Sequence, residues 1–295
     1  MSSILETIAE KTRVRVARAK ESVSFEQVRE QALAVISEES HTKAPRHEEH
    51  EGIFKGCGIK TFPYSFVPSC LSEMNFEQAL TAPGVSFICE VKKASPSKGV
   101  IAEDFPYLRI AQEYEAAGAA AISVLTEPEY FLGDPRYLQE IAANVKVPVL
   151  RKDFVIDPYQ LYEAKIWGAQ AVLLICALLD TDTLRSYIAI AAELGLSALV
   201  EIHDEAEAEQ ALAAGARVIG INNRDLNTFN VDLNVAARLR KLIPADVITV
   251  AESGIKSPDD IRALKDSGID AALIGESLMR ALDKKQFLSE LKNVY

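Results

Sequence analysis

Eight times between residue 87 and the carboxyl terminus, a short apolar run rich in β-branched side chains gives way to a turn and then a helical stretch. The runs fall at 87–92, 120–125, 147–152, 171–176, 198–202, 218–222, 247–251 and 271–275. Runs that are apolar on both faces belong to strands buried on both sides, which means a parallel sheet covered by helices. Eight βα units in about 200 residues leave two architectures, a doubly wound sheet or a closed barrel, and the count of eight predicts the barrel. Punctuation agrees. Asp134-Pro135, Asp157-Pro158 and Ser257-Pro258 each put a capping residue before an N1 proline, and Asp204 with Glu207 has capping-box spacing. Gly118, Gly168, Gly195, Gly215 and Gly268 each close a helix before the next strand. The expected fold is an α/β (β/α)8 TIM barrel over 87–295, with 1–86 as an amino-terminal helical extension.

Within that extension, 4–30 reads as one or two helices carrying Ile4, Leu5, Ile8, Val14 and Val16, and 38–60 as a polar loop or arm. His41, His47 and His50 lie in the polar tract without a matching cysteine or carboxylate cluster, so no metal site is expected. A formal charge of −11 argues against a nucleic-acid surface or a polybasic membrane patch. No apolar run of about 18 residues is present, so no membrane span is expected. The four cysteines, Cys57, Cys70, Cys89 and Cys176, lack C-x-x-C spacing, and two sit in apolar runs. With Glu6 and Glu10 near the start arguing against a leader peptide, the expected compartment is the cytoplasm.

Charges stand where strands should be apolar. Period-two alternation puts Glu90 and Lys92 in phase with Ile88, Lys152 with Leu150, and Glu201 with Leu199. It likewise puts Asn222 and Arg224 in phase with Gly220, and Ser253 with Ala251. If the apolar partners plug the lumen, the charges gather at its carboxyl-terminal mouth, where barrel enzymes keep their chemistry. A pair of buried ions for fold support alone is expensive, each costing several kcal/mol before pairing. Lysines in such a place are expected to have lowered pKa values suited to general acid work. His203, directly after Glu201, reads as a surface residue ahead of a helix cap, or else as a partner of the site. Ser253-Gly254 and Gly275-Glu276 end the seventh and eighth strands, and glycines there let backbone N–H groups approach an anion. A phosphate ligand is expected, because this fold repeatedly builds phosphate sites from those two loops.

The segment EVKKASPSKG at 90–99 resembles the signature of the indole-3-glycerol phosphate synthase family. LRKDF at 150–154, LVEI at 199–202, IGINNRDL at 219–226, AESGI at 251–255 and LIGESLM at 273–279 resemble the family's other segments in order. The similarity covers roughly 68–290. It implies ring closure of 1-(2-carboxyphenylamino)-1-deoxyribulose 5-phosphate to indole-3-glycerol phosphate with loss of carbon dioxide and water. It also implies site roles. Lys152 would be the acid in ring closure, Glu201 the base or charge stabiliser, and Lys92, oriented by Glu90, the group that assists dehydration or holds substrate oxygens, with the acid and base roles exchangeable between the steps. Asn222 and Arg224 would hold the anthranilate carboxylate and hydroxyls, and Ser95 and Pro96 would shape the first loop. Phe131, Phe154 and Leu173 would wall the aromatic ring. Ser253, Gly254, Gly275 and the backbone of Glu276 would hold the phosphate, with the Glu276 side chain turned away because relatives carry a small residue there.

No cofactor and no metal is implied, and the expected partner is a small-molecule substrate met by a monomer, with a weak dimer as the alternative. Two rival readings remain, another phosphate barrel of the phosphoribosyl anthranilate isomerase type and a non-catalytic phosphate-sugar binder. The first would not need the 90–98 segment together with Lys152 and Glu201, and the second would be expected to have lost a charged residue.

Overall fold

Alternation along each strand sorts side chains into two populations, and a closed barrel keeps them apart. A computed structural model of the chain describes residues 3–42, 74–226 and 228–293. Its barrel strands are β1 (Ser86–Val91), β2 (Ala121–Leu125), β3 (Val149–Lys152), β4 (Ala171–Ile175), β5 (Ser197–Ile202), β6 (Val218–Asn222), β7 (Ile248–Glu252) and β8 (Ala271–Ile274). Each is parallel to its sequence neighbour, and β1 pairs with both β2 and β8, so the sheet closes into the expected barrel. Ile88, Leu150, Leu199, Val218, Val250 and Leu273 fill the lumen. Cys89, Val124, Val172, Val200, Ile219 and Ile274 point the other way, into the layer beneath the helices.

The amino-terminal helices are α1 (Ile4–Ser22), α2 (Phe25–Thr42) and α3 (Phe76–Leu80). Around the barrel run α4 (Tyr107–Ala116), α5 (Pro135–Ala142), α6 (Tyr159–Ile166), α7 (Thr181–Glu193), α8 (Glu205–Ala214), α9 (Asn234–Leu239), α10 (Pro258–Asp266), α11 (Glu276–Arg280) and α12 (Lys284–Lys292). The cap chemistry read from the sequence is present at Asp134 and at Ser257, and Asp157 accepts from the Tyr159 N–H. All five helix-ending glycines have positive φ. Asp204 caps α8, but the reciprocal arm of the capping box is missing. The Glu207 carboxylate accepts from the His203 N–H at 2.7 Å instead of returning to Asp204.

The helix α2 continues through Thr42, so the stretch read as loop from residue 38 begins later. Ser37 and Glu38 near its end are exposed, so the apolar period fades before the helix does. Most of the 38–60 tract, with His47, His50, Cys57 and Cys70, lies outside the described residues, as does the side chain of His41. The barrel is closed at both ends by this extension. Phe76 and Leu80 of α3 are fully buried and join the lumen core from beside the start of β1. At the other end α1 lays Ile4, Leu5 and Ile8 over the mouth.

A buried clasp holds α1 there. Arg15 reaches 2.7 Å from Asp153 Oδ1, on a side chain 1 % exposed, while Thr126 and Arg151 hold Oδ2. Burial alone would push the Asp153 carboxyl up, but Arg15 and Arg151 outweigh it and hold it below the ordinary carboxylate range. Its folded pKa is depressed, so the stabilisation is present above the unfolded value of about 3.9 and is lost as pH falls through the folded value. Arg15→Ala is expected to cost about 1–3 kcal/mol at pH 7, because a buried charged acceptor loses one of its partners. Thermal unfolding at pH 7 and at pH 3 checks this, and an unchanged pH 7 midpoint would sink the clasp.

Candidate active site

The mouth of the barrel encloses a cavity of about 340 Å³. Every residue singled out from the sequence lines it: Glu90, Lys92, Ser95, Pro96, Phe131, Lys152, Phe154, Leu173, Glu201, Asn222, Arg224, Ser253, Gly254, Gly275 and Glu276. Strand ends place the charges. The last lumen-facing positions of β3 and β5 deliver Lys152 and Glu201, whose Nζ and Oε2 stand 3.3 Å apart, and the end of β1 delivers Glu90 and Lys92 as a direct ion pair. Both glutamates are buried.

A residue the alternation argument missed completes the set. Glu252 ends β7 with its Oε2 at 2.9 Å from Lys152 Nζ, closer than Glu201. The expected phase on this strand, with Ala251 and Ser253 inward, is wrong by one. Val250 is in the lumen core and Ala251 in the outer layer, so Glu252 points inward. Ser253 has left the strand with φ of 67°, and residues beyond that bend carry no phase. A carboxylate closing the apolar run 247–251 was the available signal. Room for it comes from Gly220, where a Cβ would collide with the Glu252 carboxylate.

Electrostatics separate the members. Burial lowers the Lys152 pKa, but Glu252, Glu201 and Glu90 together outweigh it and raise the value above that of a free lysine. The lowered lysine pKa expected from the sequence is therefore incorrect for Lys152, because three carboxylates surround one ammonium. For Glu201, burial raises the pKa, and Lys152, His203 and Asn222 more than reverse this, leaving it well below the usual range. Burial pushes Glu252 up to about 7, with Glu201 and Glu90 adding to the rise and Lys152 opposing it. Two carboxylates sharing one lysine are thus driven apart, one ionised and one holding a proton near neutrality. Glu252 Oε1 is buried with no hydrogen-bond partner.

The aromatic wall is compact: the Phe131 and Phe154 rings are 6.0 Å apart between centroids. The loop after β1 folds into a tight ladder pairing Ala94–Ser95 with Gly99–Val100, and the Phe131 carbonyl accepts from the Ala94 N–H. Asn222 Oδ1 accepts from the Arg224 N–H, and Arg224 Nη1 donates to the Phe229 carbonyl at 3.1 Å. At the anion end, Ser253 and Gly254 take consecutive left-handed conformations, with φ of 67° and 89°. Asn223, buried and unforeseen, clamps that bend by donating to the carbonyls of Glu252 and Ser253. Ser277 ties the two anion loops together through the Ile255 carbonyl at 2.7 Å. Glu276 directs its carboxylate at Arg280 and Lys98. His203, read first as a surface residue, has a side chain only 17 % exposed and stands 3.4 Å from Glu201 Oε1.

Paired acids and bases at the top of a (β/α)8 barrel, beside glycine-bearing loops after its last two strands, are the arrangement of a barrel enzyme that moves protons. Over residues 66–291 the sequence matches the indole-3-glycerol phosphate synthase family. It is 49 % identical over 289 residues to the indole-3-glycerol phosphate synthase of Ruminiclostridium cellulolyticum, covering 98 % of each chain. It is 57 % identical over 220 residues to that of Endomicrobium trichonymphae, covering 75 % of this chain and 85 % of the relative. Among solved structures, 3-hexulose-6-phosphate synthase from Salmonella typhimurium shares the fold at a TM-score of 0.59, with 16 % identity over 71 % of this chain and 98 % of the other. The chain belongs to the indole-3-glycerol phosphate synthase family, the ring-closing, decarboxylating lyases of tryptophan biosynthesis.

Proposed function

We propose that the cavity converts 1-(2-carboxyphenylamino)-1-deoxyribulose 5-phosphate to indole-3-glycerol phosphate, with Lys152 as the acid of ring closure. The observation that carries the assignment is Lys152 standing between Glu201 and Glu252 at the centre of the charged floor. As the aromatic carbon attacks the ketone, the carbonyl oxygen becomes an alkoxide, which is far more basic than the lysine amine left after proton transfer. A lysine with a raised pKa therefore still delivers its proton downhill, and its charge stabilises the oxyanion before transfer. Decarboxylation then restores electrons to the ring. Loss of the hydroxyl as water needs a second acid and a base. Lys92, oriented by Glu90, supplies the acid, and ionised Glu201 stabilises positive charge on the ring nitrogen or takes the proton from the methylene carbon beside it. Glu252, whose carboxyl burial pushes up to about 7, adds a group able to hold a proton beside them.

The binding assignments follow the same geometry. Arg224 and Asn222 take the anthranilate carboxylate and hydroxyls, the planar guanidinium matching a carboxylate. Phe131, Phe154 and Leu173 receive the ring, and Ser95 and Pro96 shape the loop beside it. Ser253, Gly254, Gly275 and the Glu276 backbone receive the phosphate. All of these groups come from one chain, so a monomer suffices, and residues 1–86 and the barrel act as one catalytic unit because α1 roofs the cavity. Free, buried Cys89 and Cys176 favour a cytoplasmic setting, and no described helix is long and apolar enough to cross a membrane.

The test is a turnover assay with no added metal or cofactor, following indole fluorescence. Steady product formation is expected. Folded protein that binds the substrate without turning it over would make this a phosphate-sugar binder instead, and a protein that does neither would have a different phosphate ligand.

A further inference from the structure

Carboxylates outnumber ammonium groups in this cavity. Glu90, Glu201 and Glu252 face only Lys92 and Lys152, and Lys92 is taken by Glu90. Lys152 alone stands between the other two, and it lies nearer Glu252, at 2.9 Å, than Glu201, at 3.3 Å. Distance to the lysine therefore favours ionised Glu252, yet Glu201 is the one held low and Glu252 the one pushed up to about 7. The asymmetry comes from behind the carboxylates. Behind Glu252 lies Gly220, without a side chain, and Glu252 Oε1 has no partner. Behind Glu201 lies His203.

The imidazole has a carboxylate on each side. Nδ1 is hydrogen-bonded to Glu207 Oε2 at 3.0 Å, and Nε2, buried and without a hydrogen-bond partner, lies 3.4 Å from Glu201 Oε1 as an ion pair. Glu207 is itself fixed, because the same oxygen accepts the His203 N–H at 2.7 Å. This is the arm that left the capping box of α8, so the helix start aims the ring. The other groups around it are Asp204 on its own turn, Cys176 at the end of β4, and Lys152 and Asn222 beyond Glu201. Burial, then Glu207, Glu201 and Asp204, push the Cys176 thiol up to about 12, so it stays neutral. Burial would lower the His203 pKa, but Glu201 and Glu207 outweigh it and raise the value to about 10.

We propose that His203 is a positioning residue: an imidazolium clamped between Glu201 and Glu207, it fixes Glu201 as the ionised carboxylate and leaves the exchangeable proton of the site on Glu252. It acts through Glu201 and touches no reacting atom. The inference rests on the roles given above to Lys152 and Glu201, and its test is divided for that reason.

Nitrogen-15 NMR of the labelled full chain reads the ring directly. His203 is expected to stay doubly protonated through pH 8.5, well above the free imidazole value of about 6.5. Glu207→Gln removes one flanking charge and should bring the His203 titration down into the observed range. In steady-state kinetics His203→Gln is expected to lower kcat by about tenfold, with KM changed less than about threefold. The acidic limb of its pH profile should move upward by about one unit, because Glu201 protonates more easily without the cation. A defect of packing alone would lower the amount of active enzyme and leave the profile in place. Titration of His203 near the free imidazole value of about 6.5 would overturn the clamp whatever the activity, as would superimposable pH profiles for wild type and a folded His203→Gln. A locked imidazolium in an enzyme indifferent to Lys152 and Glu201 substitution would instead remove the catalytic reading, and the proposal with it.

Discussion

Lys152→Met lowers kcat by about 10³–10⁴-fold, the upper part of the range for a lost general acid, and leaves the thermal midpoint close to that of wild type. Among the described residues the side chain is the only cation between Glu201 and Glu252, so the substitution removes the proposed proton donor and the charge proposed to stabilise the alkoxide. Methionine keeps most of the length and packs against apolar neighbours, so no large cavity opens. The two carboxylates then face each other without a cation between them, His203 remaining on the far side of Glu201. Like charges that close do not both ionise, so the pair takes up a proton and the fold survives. KM changes little, because the phosphate and carboxylate ends are held elsewhere. Single-turnover fluorescence separates chemistry from binding. A kcat within tenfold of wild type would remove Lys152 from the acid role and transfer it to Lys92.

The barrel was legible in the sequence because its signal is redundant. Eight apolar runs, five closing glycines and the caps at Asp134-Pro135 and Ser257-Pro258 fall in register with the observed elements, while at Asp157-Pro158 the proline itself takes the N-cap position of α6. The lumen charges at Glu90, Lys92, Lys152 and Glu201 were legible because alternation holds as long as the strand is extended. Glu252 escaped because the strand was cut one residue short and Ser253, already bent to positive φ, was assigned a phase it does not have. His203 escaped for a different reason. Its partner Glu207 looked like half of a capping box, and a sequence spacing does not reveal which backbone N–H a carboxylate chooses. The pKa of Lys152 was misjudged because burial was weighed and the third carboxylate was unknown. What a sequence withholds here is the count of charges that meet at a point.

Gly275→Ala lowers kcat by about 10²-fold while changing stability little, since a displacement near 1 Å at a reacting group can cost that much. The residue links β8 to α11, and its φ of −117° is open to any amino acid, so backbone conformation does not require glycine. Space does. A Cβ at this position would collide with Glu90 Oε1 and come within 2.9 Å of Lys92 Nζ. Those atoms are the far ends of side chains and give way, so the fold tolerates the methyl and the Glu90–Lys92 pair is pushed out of place. The same methyl narrows the approach of a phosphate to the backbone, so KM rises as well. Gly215→Ala is the matched control: nothing lies within 4 Å of its added Cβ, but its φ of 86° is strained for alanine. That variant loses about 1 kcal/mol of stability and keeps its turnover, the reverse pattern. If Gly275→Ala also loses stability and keeps kcat, the glycine serves the turn alone, and the proposed placement of Glu90 and Lys92 as a working pair fails with it.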